Sequence, residues 1–257
     1  MKFQLLPSTF DDGRTASERQ HLTCFIINDA VAIDAGSLAM ACSPKQLENV
    51  RDIVLTHAHL DHIAGLPLFI DDLFSTLTEP VRIHAAPEVI DVLERDVFNW
   101  NVYPRFSELK NSHGAVMEYR PFDGGEEFEI KNLRIQPVKV NHRVPTSGFL
   151  IADERSVVAL SGDTSTMSEF WTAVNELEKL SVLLVECAFP NELRELADVS
   201  AHLTPSTLDE ELEKLERDCQ IFVINLKPAF RERIIEQLGT IGRKGLQVLQ
   251  VGKVYDW

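Results

Sequence analysis

Apolar and polar positions follow two periods along this chain. Residues 3–6 read as a strand. Leu22-Thr23-Cys24-Phe25-Ile26-Ile27 and Val31-Ala32-Ile33-Asp34, on either side of Asn28-Asp29, read as a hairpin. Pro44-Lys45-Gln46-Leu47 starts a short helix with proline at its first position. Asp52-Ile53-Val54-Leu55-Thr56 is β-branched and apolar, the pattern of a buried strand, and Leu60 to Phe69 then carries helical spacing. A strand at 81–84 and a helix from Pro87 to Trp100 follow, the latter with Val89, Val92, Leu93 and Val97 on one face. Residues 101–115 break both periods and read as a loop and a candidate lid, in which Tyr103 and Phe106 either stack a base or pack internally.

Strands are expected at 116–120, 126–130 and 132–140, and a hairpin at 148–152 and 156–161 around Asp153-Glu154. Strand and helix then alternate: helix 168–180, strand 181–186, helix 205–217 with Thr204 as N-cap, strand 221–224, helix 229–238 and a last strand near 246–249. Meanders followed by alternating strands and helices, in two similar halves, suit an α/β fold of two packed sheets flanked by helices. With no linker or repeat in 257 residues, one domain over 1–257 is expected.

The joint between the buried strand and its helix is the chemically dense stretch. Leu55-Thr56-His57-Ala58-His59-Leu60-Asp61-His62 sets His57, His59, Asp61 and His62 within six residues. In extended backbone His57 and His59 point to one side, while Asp61 and His62 open the helix and reach the same pocket from another angle. Imidazole and carboxylate are the donors that zinc and related divalent ions take. Four such donors would crowd one ion but divide naturally between two, His57 and His59 on one and Asp61 and His62 on the other. His142 stands at the end of the strand Ile135 to Val140, and Asp163 follows Ala159-Leu160-Ser161-Gly162. A lone histidine is most often structural and an aspartate there is often a turn former, but strand ends are where α/β folds collect their sites.

Composition narrows the partners. Formal net charge is −15 with no dense Lys/Arg cluster, against a long nucleic-acid partner. Part of the acidity is helix surface, as in Asp209-Glu210-Glu211-Leu212-Glu213. No apolar run reaches the ~18 residues of a membrane span. The N-terminal stretch does not read as a secretory signal. Cys24, Cys42, Cys187 and Cys219 form no C-x-x-C pair, so reduced core thiols in a cytoplasmic protein are expected. A small-molecule substrate, no membrane and no long nucleic acid are the expected partners, with a homodimer left open.

The spelling H-x-H-x-D-H resembles the signature of the metallo-β-lactamase superfamily of hydrolases. The resemblance implies a four-layer αββα sandwich of two mixed sheets with a one- or two-metal site. It places a third histidine ligand at His142, a bridging carboxylate at Asp163 and a supporting aspartate at Asp34. Further along, Val185-Glu186-Cys187-Ala188-Phe189-Pro190-Asn191, Ser200-Ala201-His202-Leu203-Thr204-Pro205 and Val223-Ile224-Asn225-Leu226-Lys227-Pro228 resemble the class II 3′,5′-cyclic-nucleotide phosphodiesterases, and with them the related tRNase Z enzymes. That likeness implies a Glu186–His202 pair near the leaving group, although a salt bridge or cap would place the same residues there. Asp61, His202 and Glu186 form the implied catalytic set, with Asp61 also a ligand.

One position departs from the family: Asn225 stands where a final histidine ligand belongs. An amide oxygen is a poor zinc donor. Two divalent ions are therefore expected, zinc ahead of manganese or iron(II), with the second held weakly or lost. The resulting expectation is a metal-dependent phosphodiesterase for a small cyclic nucleotide or related phosphodiester. A tRNase Z-like nuclease, a thioester or lactone hydrolase and a weakly active metal-binding regulator stand as alternatives. The ~20 residues between His142 and Asp163 leave no room for the tRNA-binding arm that the nuclease likeness would require.

Overall fold

The computed structural model describes residues 1–257, and its frame is two seven-stranded sheets lying face to face. The first runs, edge to edge, Met117–Pro121, Val81–Ala85, Asp52–Val54, Val31–Ile33, Phe25–Ile27, Lys2–Leu5 and Val254–Asp256. The second runs Phe128–Ile130, Leu133–Lys139, Ser147–Ala152, Val157–Leu160, Val182–Glu186, Gln220–Ile224 and Leu246–Val248. Both are mixed. Val31–Ile33 through Met117–Pro121 pair in parallel, as do Val157–Leu160 through Leu246–Val248, and the other neighbours are antiparallel.

The period of two along each strand builds the layers. Val54, Val182 and Leu184 point between the sheets, where they join Phe3, Phe25, Ile33, Ile135, Phe149 and Leu160. Ile53 and Leu55 point the other way, onto Leu66, Phe69 and Ile70 of the helix Leu66–Leu73. Leu183 and Val185 likewise meet Phe170, Trp171, Leu208 and Ile234 on the helices Glu169–Glu176, Pro205–Leu212 and Arg231–Leu238. The expected four-layer αββα sandwich is the observed one. No helix is long and apolar enough to cross a membrane.

Local chemistry explains the elements that matter for the site. Asn28 and Asp29 take φ of 53° and 56°, the left-handed pair of a tight hairpin turn, in the residue types that tolerate it. Thr204 accepts from the Thr207 backbone N–H and caps the helix Pro205–Leu212. That helix and Glu169–Glu176 stop short of their expected ends. Beyond Leu212, Glu213 to Asp218 offers Leu215 alone to the core, too narrow an apolar face to carry further helix. The helix from Pro87 is α-helical only to Val92 and then widens into a π turn over Leu93–Val97.

Residues 101–115 pack onto the first core through Phe106, with Tyr103 and Leu109 beside it. Phe106 is 1% exposed, within about 6 Å of the Phe98, Tyr103 and Phe74 rings, and so is unavailable to stack a base. The Tyr103 hydroxyl donates to Asp71 Oδ2 at 3.1 Å. Of the two uses open to these aromatics, internal packing is the one the fold adopts for Phe106.

Asp52, at the head of the strand that leads to the motif, is 4% exposed and fully partnered. Arg82 reaches it with Nε at 2.7 Å and Nη2 at 2.8 Å, and His84 Nε2 lies at 3.0 Å. Burial acts to raise its carboxyl, but the Arg82 and His84 contacts overcome this and hold it well below the usual range. Asp52→Asn keeps the volume and loses the charge, and is expected to cost about 2 kcal/mol near neutrality. A depressed folded-state pKa gives stability that is present above the ordinary carboxylate value and lost as pH falls through the folded value. The gap between wild type and variant should therefore begin to narrow below about pH 4 and go on narrowing as the pH falls. Denaturant titrations near neutrality and at about pH 3 check this, and a gap independent of pH would remove the ion pair from the account.

Candidate metal centre

The site forms where the parallel strands of both sheets end. Asp34 follows Val31–Ile33, Thr56 and His57 follow Asp52–Val54, Asp163 follows Val157–Leu160, Glu186 ends Val182–Glu186 and Asn225 follows Gln220–Ile224. His142 arrives just beyond Leu133–Lys139. His59 is the N-terminal boundary of a one-turn helix, Leu60–Ile63, that carries Asp61 and His62. This turn is pressed on the hairpin behind it: Thr23 N donates to Asp61 O at 2.8 Å, and a Cβ at Gly36 would lie 2.0 Å from the same oxygen. Only glycine permits that approach.

Three imidazoles meet at one point. His142 Nε2 lies 3.2 Å from His59 Nδ1, and the His57 ring centroid is 4.6 Å from that of His59 and 5.1 Å from that of His142. One donor atom from each of His57, His59 and His142 lies within 4.8 Å of the others, and the same holds for His57, His62 and Asp163. His62 Nε2 is 3.4 Å from Asp163 Oδ1, and His57 Nε2 is 4.0 Å from Asp163 Oδ2.

The nitrogens that His57, His62 and His142 turn away from this point are held. Asp34 accepts the Thr56 backbone N–H at 2.8 Å, the Thr56 hydroxyl at 2.9–3.0 Å and His62 Nδ1–H at 2.7 Å. With its single proton on Asp34, Thr56 Oγ1 must accept from His57 Nδ1, 2.9 Å away. His142 Nδ1 donates to the Ala201 carbonyl at 2.9 Å. These bonds fix rings and tautomers and aim Nε2 of each inward, the usual support of a metal-binding histidine. His57 Nε2 and His62 Nε2 are left buried with no hydrogen-bond partner. Such orphaned acceptors are costly unless a cation takes them up, so a divalent metal fits this donor set.

The electrostatics agree for the three-histidine group. Burial pushes His57 well down, helped by the neighbouring His62, and burial also lowers His59 and His142, favouring the neutral ring that ligates. Burial would lower His62 too, but Asp163 and Asp34 reverse this and hold it high. Asp163, despite burial, is held well below the usual carboxylate range by His62 and His57.

Beside the histidines stands a dyad. His202 Nδ1 donates to Glu186 Oε1 at 2.6 Å, and the His202 ring lies 5.0 Å from that of His142. Glu186 is fully buried and also accepts from Thr164 N at 3.0 Å and Leu203 N at 3.3 Å. Burial raises the Glu186 carboxyl. Burial would lower His202, but the Glu186 carboxylate outweighs it and the imidazole is raised. His202 also shares a donor group with His142 and Asp163.

Every candidate named from the sequence thus comes to one place, though two arrive in unexpected company. Asn225 Nδ2 donates to Asp163 Oδ1 at 2.7 Å, and Asp61 Oδ2 lies 3.4 Å from Lys227 Nζ, apart from the three donor groups. Sequence reasoning assigned no part to Thr56, Ala201 or Lys227. Thr56 reads as the last residue of a strand, and a backbone carbonyl such as that of Ala201 leaves no signal. Lys227 sits inside the Leu-Lys-Pro run that carried the likeness, where a cation two residues beyond a ligand position was the available clue.

A two-sheet αββα sandwich with a histidine- and aspartate-rich centre at its strand ends defines the metallo-β-lactamase fold class. The chain belongs to that superfamily: a family model described as "Beta-lactamase superfamily domain" matches residues 29–223. Among known proteins it is similar to a probable 3′,5′-cyclic-nucleotide phosphodiesterase of Yersinia pestis, 25% identical over 212 residues, or 72% of this chain and 59% of that protein. It is also similar to the chloroplastic tRNase Z TRZ2 of Arabidopsis thaliana, 27% identical over 140 residues, or 52% of this chain and 35% of that one. The chain therefore spans about three fifths of the first of these relatives and about a third of the second. The crystal structure of unliganded yeast PDE1 shares the fold with a TM-score of 0.78 at 17% identity, covering 98% of each chain.

Proposed function

We propose that this chain is a metal-dependent phosphodiesterase acting on a small phosphodiester, with a 3′,5′-cyclic nucleotide as the leading substrate. The observation that carries the reading is the Glu186–His202 dyad set against the histidine cluster, 2.6 Å between its partners and 5.0 Å between the His202 and His142 rings. The likeness to a named cyclic-nucleotide phosphodiesterase supports the same substrate class.

In this reading His57, His59 and His142 hold a divalent ion, for which three imidazoles favour zinc over manganese or iron(II). Bound there, the ion supplies Lewis-acid charge toward a phosphoryl oxygen. The rest falls to the chain. Thr56, itself held by Asp34, fixes the His57 ring and the Ala201 carbonyl fixes that of His142, so these two donors need no rearrangement when substrate arrives. His202, its Nδ1–H fixed on Glu186, turns the other ring nitrogen to the site and delivers a proton to the departing alkoxide, which is a poor leaving group without one. Glu186 keeps that imidazole protonated. A long structured RNA finds less support: residues 143–162 form a close-turned hairpin with no projecting arm, and the net charge is −15.

Turnover of cyclic AMP, cyclic GMP, bis(nitrophenyl) phosphate and a thioester by the zinc-loaded chain tests the assignment. Hydrolysis of the phosphodiesters, abolished by a chelator and restored by zinc, is the expected result. Turnover of the thioester with no phosphodiester cleaved would overturn it.

A further inference from the structure

We infer that the chain fills the second cation's place with its own side chains: Lys227 supplies an ammonium to Asp61, Asn225 supplies an amide N–H to Asp163, and one metal ion per chain is held tightly. The inference rests on the histidine cluster being a metal site and deepens that reading.

Each of the two carboxylates beside the three-histidine group has one oxygen already engaged. Asp163 Oδ1 receives Asn225 Nδ2 at 2.7 Å, and Asp61 Oδ2 faces Lys227 Nζ at 3.4 Å. An ionised carboxylate only accepts, so the amide must present nitrogen to Asp163 and its oxygen elsewhere. Offering that oxygen to a cation beside Asp163 would require a flip that gives up the bond. The sequence therefore replaces a ligand with a donor, which is a different thing from replacing it with a weaker ligand.

The backbone holds the two side chains in place. Asn225 ends the strand Gln220–Ile224 with φ of 59°, a left-handed conformation that asparagine tolerates better than most residues. The turn brings Lys227 back over the site mouth, and its N–H donates to the Ala188 carbonyl at 3.2 Å. The Lys227 side chain is 32% exposed and that of Asp61 29%, so the ammonium keeps part of its hydration while facing inward. A divalent ion seated between Asp61 and Asp163 would be repelled by that ammonium, and of the two unpartnered buried nitrogens, His57 Nε2 and His62 Nε2, the first also belongs to the three-histidine group. With Lys227 there, the mouth of the site carries a fixed positive charge on the side where a phosphoryl oxygen would otherwise meet a second metal.

Zinc titration calorimetry and elemental analysis after dialysis, on the full chain, test this in four forms: wild type, Lys227→Arg, Lys227→Met and the Lys227→Met/Asn225→His double variant. Circular dichroism confirms that each is folded. Wild type and Lys227→Arg should retain one zinc per chain. Lys227→Met should add a weak second equivalent, and the double variant should retain two. Two tightly held zinc ions in the wild type would overturn the inference while leaving the metal site intact, as would a folded double variant that still holds one. A wild type that binds no zinc would overturn the metal-site reading itself, and the inference with it.

Discussion

Replacing His57 by alanine is expected to abolish both the retention of zinc through dialysis and phosphodiester hydrolysis. His57 is fully buried and is the residue common to the His57–His59–His142 and His57–His62–Asp163 donor groups, so its removal opens both. It also frees Thr56 Oγ1, which His57 Nδ1 engages at 2.9 Å. Loss of a residue that touches the ion should exceed the ~10–100-fold penalty typical of a supporting residue. Asp34→Asn supplies the internal comparison. Its carboxylate touches no metal position but holds His62 and Thr56, so its loss in metal affinity or rate should fall within that ~10–100-fold range. Elemental analysis alongside initial rates separates the two variants, with circular dichroism to show that the alanine variant is folded. A His57→Ala chain with full metal and full rate would exclude the cluster as the metal site.

That contrast tracks what the sequence alone could carry. The H-x-H-x-D-H motif is local: four donors within one strand-helix joint are written in the spacing, and the fold brings its three histidines into the donor groups while Asp61 turns to Lys227. His142 and Asp163 are legible only as polar residues at strand ends, because their meeting with the motif is a matter of sheet order, with His142 touching a histidine 83 positions away. The pairing of Lys227 with Asp61 spans 166 positions and has no local signature at all. Asn225 shows the limit of reading a substitution by residue type. An amide can accept or donate, and only the neighbour across the sheet, the acceptor-only Asp163, decides which.

Fold-level misses have the same origin. The strand Val254–Asp256 is three residues long and is fixed by its partner Lys2–Leu5, not by its own propensity. The helix Arg194–Ser200 buries little beyond Ala197, so it shows no apolar stripe to detect. Phe106 looks like a loop aromatic from its polar neighbours, yet it lies in the core because the helix Leu66–Leu73 and the π turn Leu93–Val97 leave an apolar site that it fills.

His202→Ala is expected to spare the metal and to slow hydrolysis according to the leaving group. The imidazole shares a donor group with His142 and Asp163, but its Nδ1 is committed to Glu186 at 2.6 Å, and the three-histidine group is complete without it. General-acid catalysis is worth roughly 10²–10⁴-fold, so a cyclic nucleotide, whose ribose alkoxide must be protonated, should lose about that much. Bis(nitrophenyl) phosphate releases a phenolate that needs no proton and should lose little. The dyad also fixes the sign of the pH dependence. Burial would lower His202, but Glu186 holds it above its ordinary value, so the acid form persists into higher pH and the rate on cyclic nucleotide should fall as pH rises through that raised value. Glu186→Gln removes the carboxylate that does the raising and should move the fall to lower pH, with the nitrophenyl substrate little affected. Equal losses on both substrates, or a pH limb that Glu186→Gln leaves in place, would exclude the acid role, and loss of zinc from His202→Ala would make the residue a ligand instead.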